Sequence, residues 1–283
     1  MDIPDGEPVF DVEIPDDIPG YPADITCDGK IVIMNVNTTD SKEYPAPYTM
    51  DLKEFWRFFH ERPRDGALYS YNMVSGICTK MIEWNNEAPN HTDTSPTDPG
   101  LIKFCSDKIE FETQRIWCVR TDGTQLRKIR PTQNGEMITH EFWSHNAQLI
   151  GYTYQDRRGD TTCYTLPWGE YSPMETQIGF SNLEGKEVYL SDPVNHHHSH
   201  VITSSDGNWI TGEGTDGHSF VYLAHLSLDN PRIRYFAMAK IHTPYQPLAG
   251  QNVNADFSAD NRWMLYNDTI DGKCQICAVK VEL

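Results

Sequence analysis

The sequence is poor in positive charge. Its 283 residues carry 23 Lys and Arg against 41 Asp and Glu, a formal net charge of −18. Such a surface repels polyanions at long range, so nucleic acid and anionic membranes are not the expected partners. It leaves the sign of a local pocket open. No window of 18 apolar residues occurs, so no membrane-spanning helix is expected. The first residues, Met-Asp-Ile-Pro-Asp-Gly, hold neither a basic n-region nor an apolar h-region, so no signal peptide is expected. Cysteine is sparse and irregular. Seven residues make an odd count without a disulfide framework, which favours a reducing compartment and a cytoplasmic protein. The lone Cys274-x-x-Cys277 has no second pair nearby, so it is a weak zinc signal.

What is present is a repeat. A Ser or Thr, one or two residues, an Asp or Asn, a short turn and an apolar run occur together five times. The copies start at Thr26, Ser95, Ser144, Ser204 and Ser258, with the acid or amide at Asp28, Asp98, Asn146, Asp206 and Asp260. Between them lies a second phrase, an apolar strand running into a turn. It covers Leu68–Gly76, Arg115–Gly123, Thr176–Gly185 and Phe220–Asp229. Asp-Gly and Glu-Gly are hairpin signals, because glycine accepts positive φ without steric cost. Each unit therefore reads as two hairpins, and the chain closes on a third strand over 275–283. Repeats of about 40 to 50 residues with four short strands each are propeller blades. The expected fold is an all-β β-propeller, one domain over 1–283, with innermost strands beginning near residues 22, 92, 141, 201 and 254. One stretch departs from the rhythm. Asp51 can cap a helix whose Leu52, Phe55, Trp56 and Phe59 share a face, so a helical insertion is expected near 50–62.

The histidines follow the repeat. His91, His140 and the run His196-His-His-Ser-His200 precede the second, third and fourth innermost strands, and Asn252 and Asn254 precede the fifth. Loops entering innermost strands converge on one mouth of a propeller's channel, so these side chains are expected to face one another. Neighbouring strand residues point to opposite faces, so the histidine run cannot all converge on one ion, although His198 and His200 can. Arg115 opens a strand of the second unit. In an acidic protein, beside histidines, its fork suits a carboxylate; a salt bridge with one of many acids is the plainer reading.

At these residues the chain resembles the oligogalacturonate lyases, polysaccharide lyase family 22. The likeness is clearest over Arg115-Ile-Trp-Cys-Val-Arg-Thr-Asp-Gly and Ile138-Thr-His-Glu-Phe-Trp143. It continues at Ser199-His200 and spans roughly residues 20 to 283. The resemblance implies a seven-bladed propeller, of which five blade phrases are visible here. It implies β-elimination on short oligogalacturonides, with Arg115 and His140 catalytic and Arg115 and His91 binding substrate. It also implies a divalent cation, Mn²⁺ in the first instance, on His200, Gln251, Asn252 and Asn254. At Asn252 and Asn254 the family has histidines; amide oxygens are poor ligands for soft ions but suit Mn²⁺, Mg²⁺ or Ca²⁺. The implied partner is an acidic oligosaccharide. The alternatives are a non-catalytic propeller that binds sugar or protein, and a lyase for another acidic saccharide.

Overall fold

The computed structural model describes residues 13–37, 65–85, 88–106, 114–133, 135–156, 175–194, 197–215, 219–241 and 253–281. The stretch 50–62, Gln251 and Asn252 lie outside them. Among the described residues every regular element is a strand.

The strands form five antiparallel sheets, each built from consecutive segments. The first holds β1 (Tyr21–Ile25), β2 (Ile31–Asn37), β3 (Gly66–Asn72) and β4 (Ile77–Trp84). The second holds β5 (Pro89–Thr94), β6 (Leu101–Ser106), β7 (Ile116–Arg120) and β8 (Arg127–Ile129). The third holds β9 (Glu136–Trp143), β10 (Leu149–Asp156), β11 (Gln177–Asn182) and β12 (Glu187–Leu190). The fourth holds β13 (His197–Thr203), β14 (Trp209–Thr215), β15 (Ser219–His225) and β16 (Arg234–Lys240). The fifth holds β17 (Asp256–Phe257), β18 (Trp263–Ile270) and β19 (Lys273–Lys280).

The recurring phrase is the turn between the first two strands of each sheet. In every sheet but the second its hydroxyl donates to the Asp or Asn two residues on, as in Ser204 Oγ to Asp206 Oδ1 at 2.6 Å and Ser258 Oγ to Asp260 Oδ1 at 2.7 Å. The same hydroxyl accepts the first backbone N–H of the returning strand, from Trp209 and Trp263, at 3.0 Å each. A short polar side chain thus stands in for a missing backbone partner, which is why this spacing recurs.

Consecutive sheets pack face to face over separate apolar layers. Ile33 and Leu68 meet Ile102 and Phe104; Ile116 and Ile129 meet Ile150 and Tyr152; Phe142 and Phe180 meet Ile210 and Tyr222; Val221 and Leu223 meet Val253 and Met264. Each fully buried aliphatic or aromatic side chain contributes about 1.5–3 kcal/mol. The packing brings first strands together: β1 lies against β5, β9 against β13 and β13 against β17. Trp143 Nε1, donating to Asp93 O at 3.4 Å, joins β9 to β5.

The first strands share a further feature. In β5, His91 and Thr92 oppose a single residue of β6, because Asn90 pairs with Cys105 and Asp93 with Lys103. In β9, His140 and Glu141 do the same against β10, and in β13, His200 and Val201 against β14. Before β17, Asn254 and Ala255 lie between Val253, whose C=O accepts from Asn267, and Asp256, which pairs with Leu265. The first residue of each pair has a left-handed backbone: φ is 45° at His91, 50° at His140, 44° at His200 and 45° at Asn254. This is one β-bulge used four times, and a bulge re-aims the side chain it carries. It also explains why three strands begin before their expected starts, at Pro89, Glu136 and His197: the strand is already paired ahead of the bulge.

Gly212 faces the bulge of β13. A Cβ there would lie 2.8 Å from Tyr222 Oη and 2.9 Å from Ser199 O. Gly212→Ala is expected to cost about 1–3 kcal/mol as an overpacked position, read as a lowered urea midpoint with an unchanged slope.

Candidate active site

The four bulges carry one polar cluster. On the β13 side, His200 Nδ1 is hydrogen-bonded to Glu213 Oε1, and Glu213 Oε2 accepts the backbone N–H of Asn254 at 3.1 Å. Ser199 Oγ lies 3.3 Å from His200 Nδ1 and 3.1 Å from His140 Nε2. The rings of His140 and His200 meet edge to face, centroids 4.8 Å apart. His140 Nδ1 lies 2.9 Å from Thr139 Oγ1 and 3.1 Å from Thr153 Oγ1.

On the other side stands a buried charge cluster. Arg115 Nε donates to Glu141 Oε2 at 3.0 Å, with the two side chains 8% and 1% exposed. Lys103 is fully buried and pairs with Asp93, the residue that closes the first bulge. Burial by itself would raise the Glu141 carboxyl. Arg115, Lys103 and His91 outweigh it and hold that group well below the ordinary carboxylate range. Burial would likewise depress the Lys103 ammonium, but Asp93 and Glu141 carry it above its usual value. Both cations and Glu141 therefore stay ionised.

Of the residues expected at one mouth, His91, Arg115, His140, His200 and Asn254 lie along this cluster. His91 and Asn254 are exposed, His140 and His200 are partly covered, and Arg115 is buried. The expected convergence of His198 with His200 does not occur. His198 is buried and stacks on Tyr235, centroids 4.6 Å apart, with its edge to Tyr222. The left-handed residue at 200 breaks the alternation that would have put both on one face. The plain surface salt bridge weighed for Arg115 is corrected to a buried pair with Glu141. Sequence reasoning missed Lys103, Glu141, Ser199, Glu213 and Thr153. For Lys103 a signal existed: a charged residue inside an apolar strand, Leu101-Ile-Lys-Phe-Cys. Among the described residues, no group of three or more His, Cys, Asp or Glu is placed to hold a metal ion.

Meander sheets joined in chain order, with imidazoles on their first strands and a buried arginine at the start of a third strand, define an all-β protein with one polar cluster across its sheets. The chain belongs to the oligogalacturonate lyase family, whose profile matches residues 5–282. It is 25% identical over 291 residues to the oligogalacturonide lyase of Pectobacterium atrosepticum, an alignment covering 95% of this chain and 68% of that one. Two solved structures share the fold at a TM-score of 0.70. One is an oligogalacturonate lyase in complex with manganese, 19% identical, matched over 92% of this chain and 64% of that one. The other is an oligogalacturonate lyase from Vibrio parahaemolyticus, 20% identical, matched over 95% and 68%. The chain thus spans about two thirds of the length of these relatives.

Proposed function

We propose that the five sheets are blades of a β-propeller and that the protein is a lyase, cleaving short oligogalacturonides by β-elimination. The observation that carries this reading is that His140 and His200 meet in a chain of this family, with Arg115 paired to Glu141, the residue after His140. In the reaction a base takes the C5 proton of a uronate. The C–H electron pair becomes the C4–C5 double bond, and the C4–O pair leaves with the bridging oxygen, which takes a proton from water, giving a 4,5-unsaturated product. His140 is the base, since an imidazole titrates near neutral pH and needs little tuning for that task. Arg115 receives the uronate carboxylate, where negative charge grows as C5 loses its proton. Glu141 fixes the guanidinium in place beforehand, which is the condition for electrostatic stabilisation. His91, exposed on the neighbouring bulge, contacts the sugar.

The donor set of the fourth sheet fits a divalent cation in one respect. A carboxylate on one ring nitrogen of a histidine is the usual support for ligation through the other, and Glu213 supplies it to His200 Nδ1. His200 would hold the ion through Nε2, with the amide oxygens of Gln251, Asn252 and Asn254, a set that suits Mn²⁺ among hard divalent ions. A cation bound there would supply Lewis-acid neutralisation of the same carboxylate. The relative solved with manganese supports this reading. The two asparagines favour one alternative, a propeller that binds uronates without cleaving them.

Incubation with di- or trigalacturonate separates the two. Ultraviolet absorbance of the conjugated product is expected to rise with Mn²⁺, to fall on chelation and to return when Mn²⁺ is restored. Arg115→Lys is expected to lose about 10²–10³ in kcat/KM, because an ammonium cannot reproduce the oriented fork. Binding without product, with every divalent cation tried, would establish the non-catalytic reading.

A further inference from the structure

The hydroxyls around His140 admit one assignment of hydrogens that satisfies the short contacts together. Thr153 is buried on β10, directly opposite Thr139. Its hydroxyl donates to the backbone C=O of Thr139 at 3.0 Å. The shortest contact of the group, 2.7 Å, joins the Thr139 and Thr153 hydroxyls, and the only hydrogen left for it is that of Thr139. A threonine hydroxyl has one hydrogen, so both are spent. His140 Nδ1, 2.9 and 3.1 Å from these same oxygens, must then bring its own hydrogen.

The other end of the ring is compatible with the same answer. The Glu213 carboxylate only accepts, so His200 Nδ1 carries a hydrogen toward it. That hydrogen also faces Ser199 Oγ at 3.3 Å, where the serine acts as acceptor. The serine's single hydrogen is then available to His140 Nε2 at 3.1 Å, the nitrogen that the threonines leave with the lone pair of the neutral ring. The threonines fix the form of the neutral ring, and Ser199 accommodates the same form.

We infer that Thr153 is a positioning residue for the elimination: it fixes His140 as the Nδ1–H tautomer and so makes Nε2 the basic nitrogen. The inference rests on the proposed role of His140 as base. Thr153 touches neither substrate nor the reacting atoms. It acts through the imidazole, as the third member of a nucleophile–base pair does, but with a neutral hydroxyl in place of a carboxylate. Such a partner orients the ring and selects the nitrogen without placing a charge beside it.

Two measurements test this. Nitrogen-15 NMR of the full chain, with His140→Asn used to assign the signal, is expected to show a protonated Nδ1 and an unprotonated Nε2 for the neutral ring. Steady-state kinetics on trigalacturonate follow in two variants. Thr153→Val keeps the shape and removes the hydroxyl; it is expected to lower kcat about 10²-fold, within the range a positioned base contributes, with KM changed less than about twofold. Thr153→Ser restores the hydroxyl and is expected to recover most of the lost kcat. A purely structural role would leave the two variants equally impaired, or would move KM and the urea midpoint instead. An unprotonated Nδ1 in the wild type, or wild-type kcat in Thr153→Val, would overturn the inference. A wild type with the expected tautomer and no unsaturated product would leave Thr153 as the residue setting the tautomer and overturn its part in catalysis together with the proposed function.

Discussion

His140→Ala is expected to lower kcat by about 10²–10⁴, the contribution of a positioned general base. The loss should fall on kcat more than on KM, because Arg115, held in place by Glu141, remains to bind the substrate carboxylate. The fold should survive. The His140 side chain is only partly covered, and its neighbours Ser199, Thr139 and Thr153 are polar groups that water can satisfy once the ring is gone. Product formation from trigalacturonate, read beside the urea midpoint, checks both halves. Wild-type turnover in a folded His140→Ala protein would move the base to another residue, with His91 next in position.

The largest loss of stability is expected from Glu141→Ala. Its carboxylate accepts from the buried Arg115 and lies in the field of the fully buried Lys103, which keeps Asp93 as its own partner. Breaking a buried pair from one side leaves an uncompensated charge and costs about 3–5 kcal/mol. Glu141→Gln keeps an acceptor for Arg115 Nε and should be milder. The effect has a pH signature. The folded carboxyl lies below its unfolded value of about 4.3, so the unfolded chain binds the proton more readily. The contribution of Glu141 is therefore complete above about pH 4.3 and is lost as pH falls through the lower folded value. Urea midpoints measured from pH 7 downward should drop more steeply in the wild type than in Glu141→Ala. Parallel curves would remove Glu141 as the source of that acid sensitivity.

The sheets were legible in the sequence because their signals are local. A serine two residues before an aspartate closes its own turn, and Asp-Gly and Glu-Gly bend a hairpin whatever lies around them. The row of His91, His140, His200 and Asn254 was legible for a related reason: each stands at the same offset from its turn. Strand starts were misjudged because a bulge is a fact of pairing, visible only when the opposite strand is in place. The same cause hid the parting of His198 from His200. Lys103, Glu141 and Glu213 escaped because a charge within a strand gives no hint of its partner. That partner comes from another strand, or, for Glu141 with Arg115, from another sheet. Thr153 gave no signal, since a threonine in a strand is ordinary and only its position opposite Thr139 gives it a task.

The repeated bulge sets durability against activity. A left-handed backbone at a residue other than glycine is strained by about 1–3 kcal/mol, and His91, His140 and His200 each hold one. Asparagine, whose short polar side chain can hydrogen-bond locally, visits that conformation more easily, so Asn254 is the relaxed member of the row. Glycine or asparagine at the three histidines would ease the backbone and remove an imidazole in the same step. A selection for heat resistance alone would therefore drift toward those replacements and return hardened proteins that no longer turn over. Stabilisation of this scaffold belongs in the apolar layers between the sheets, away from the row whose discomfort aims the histidines.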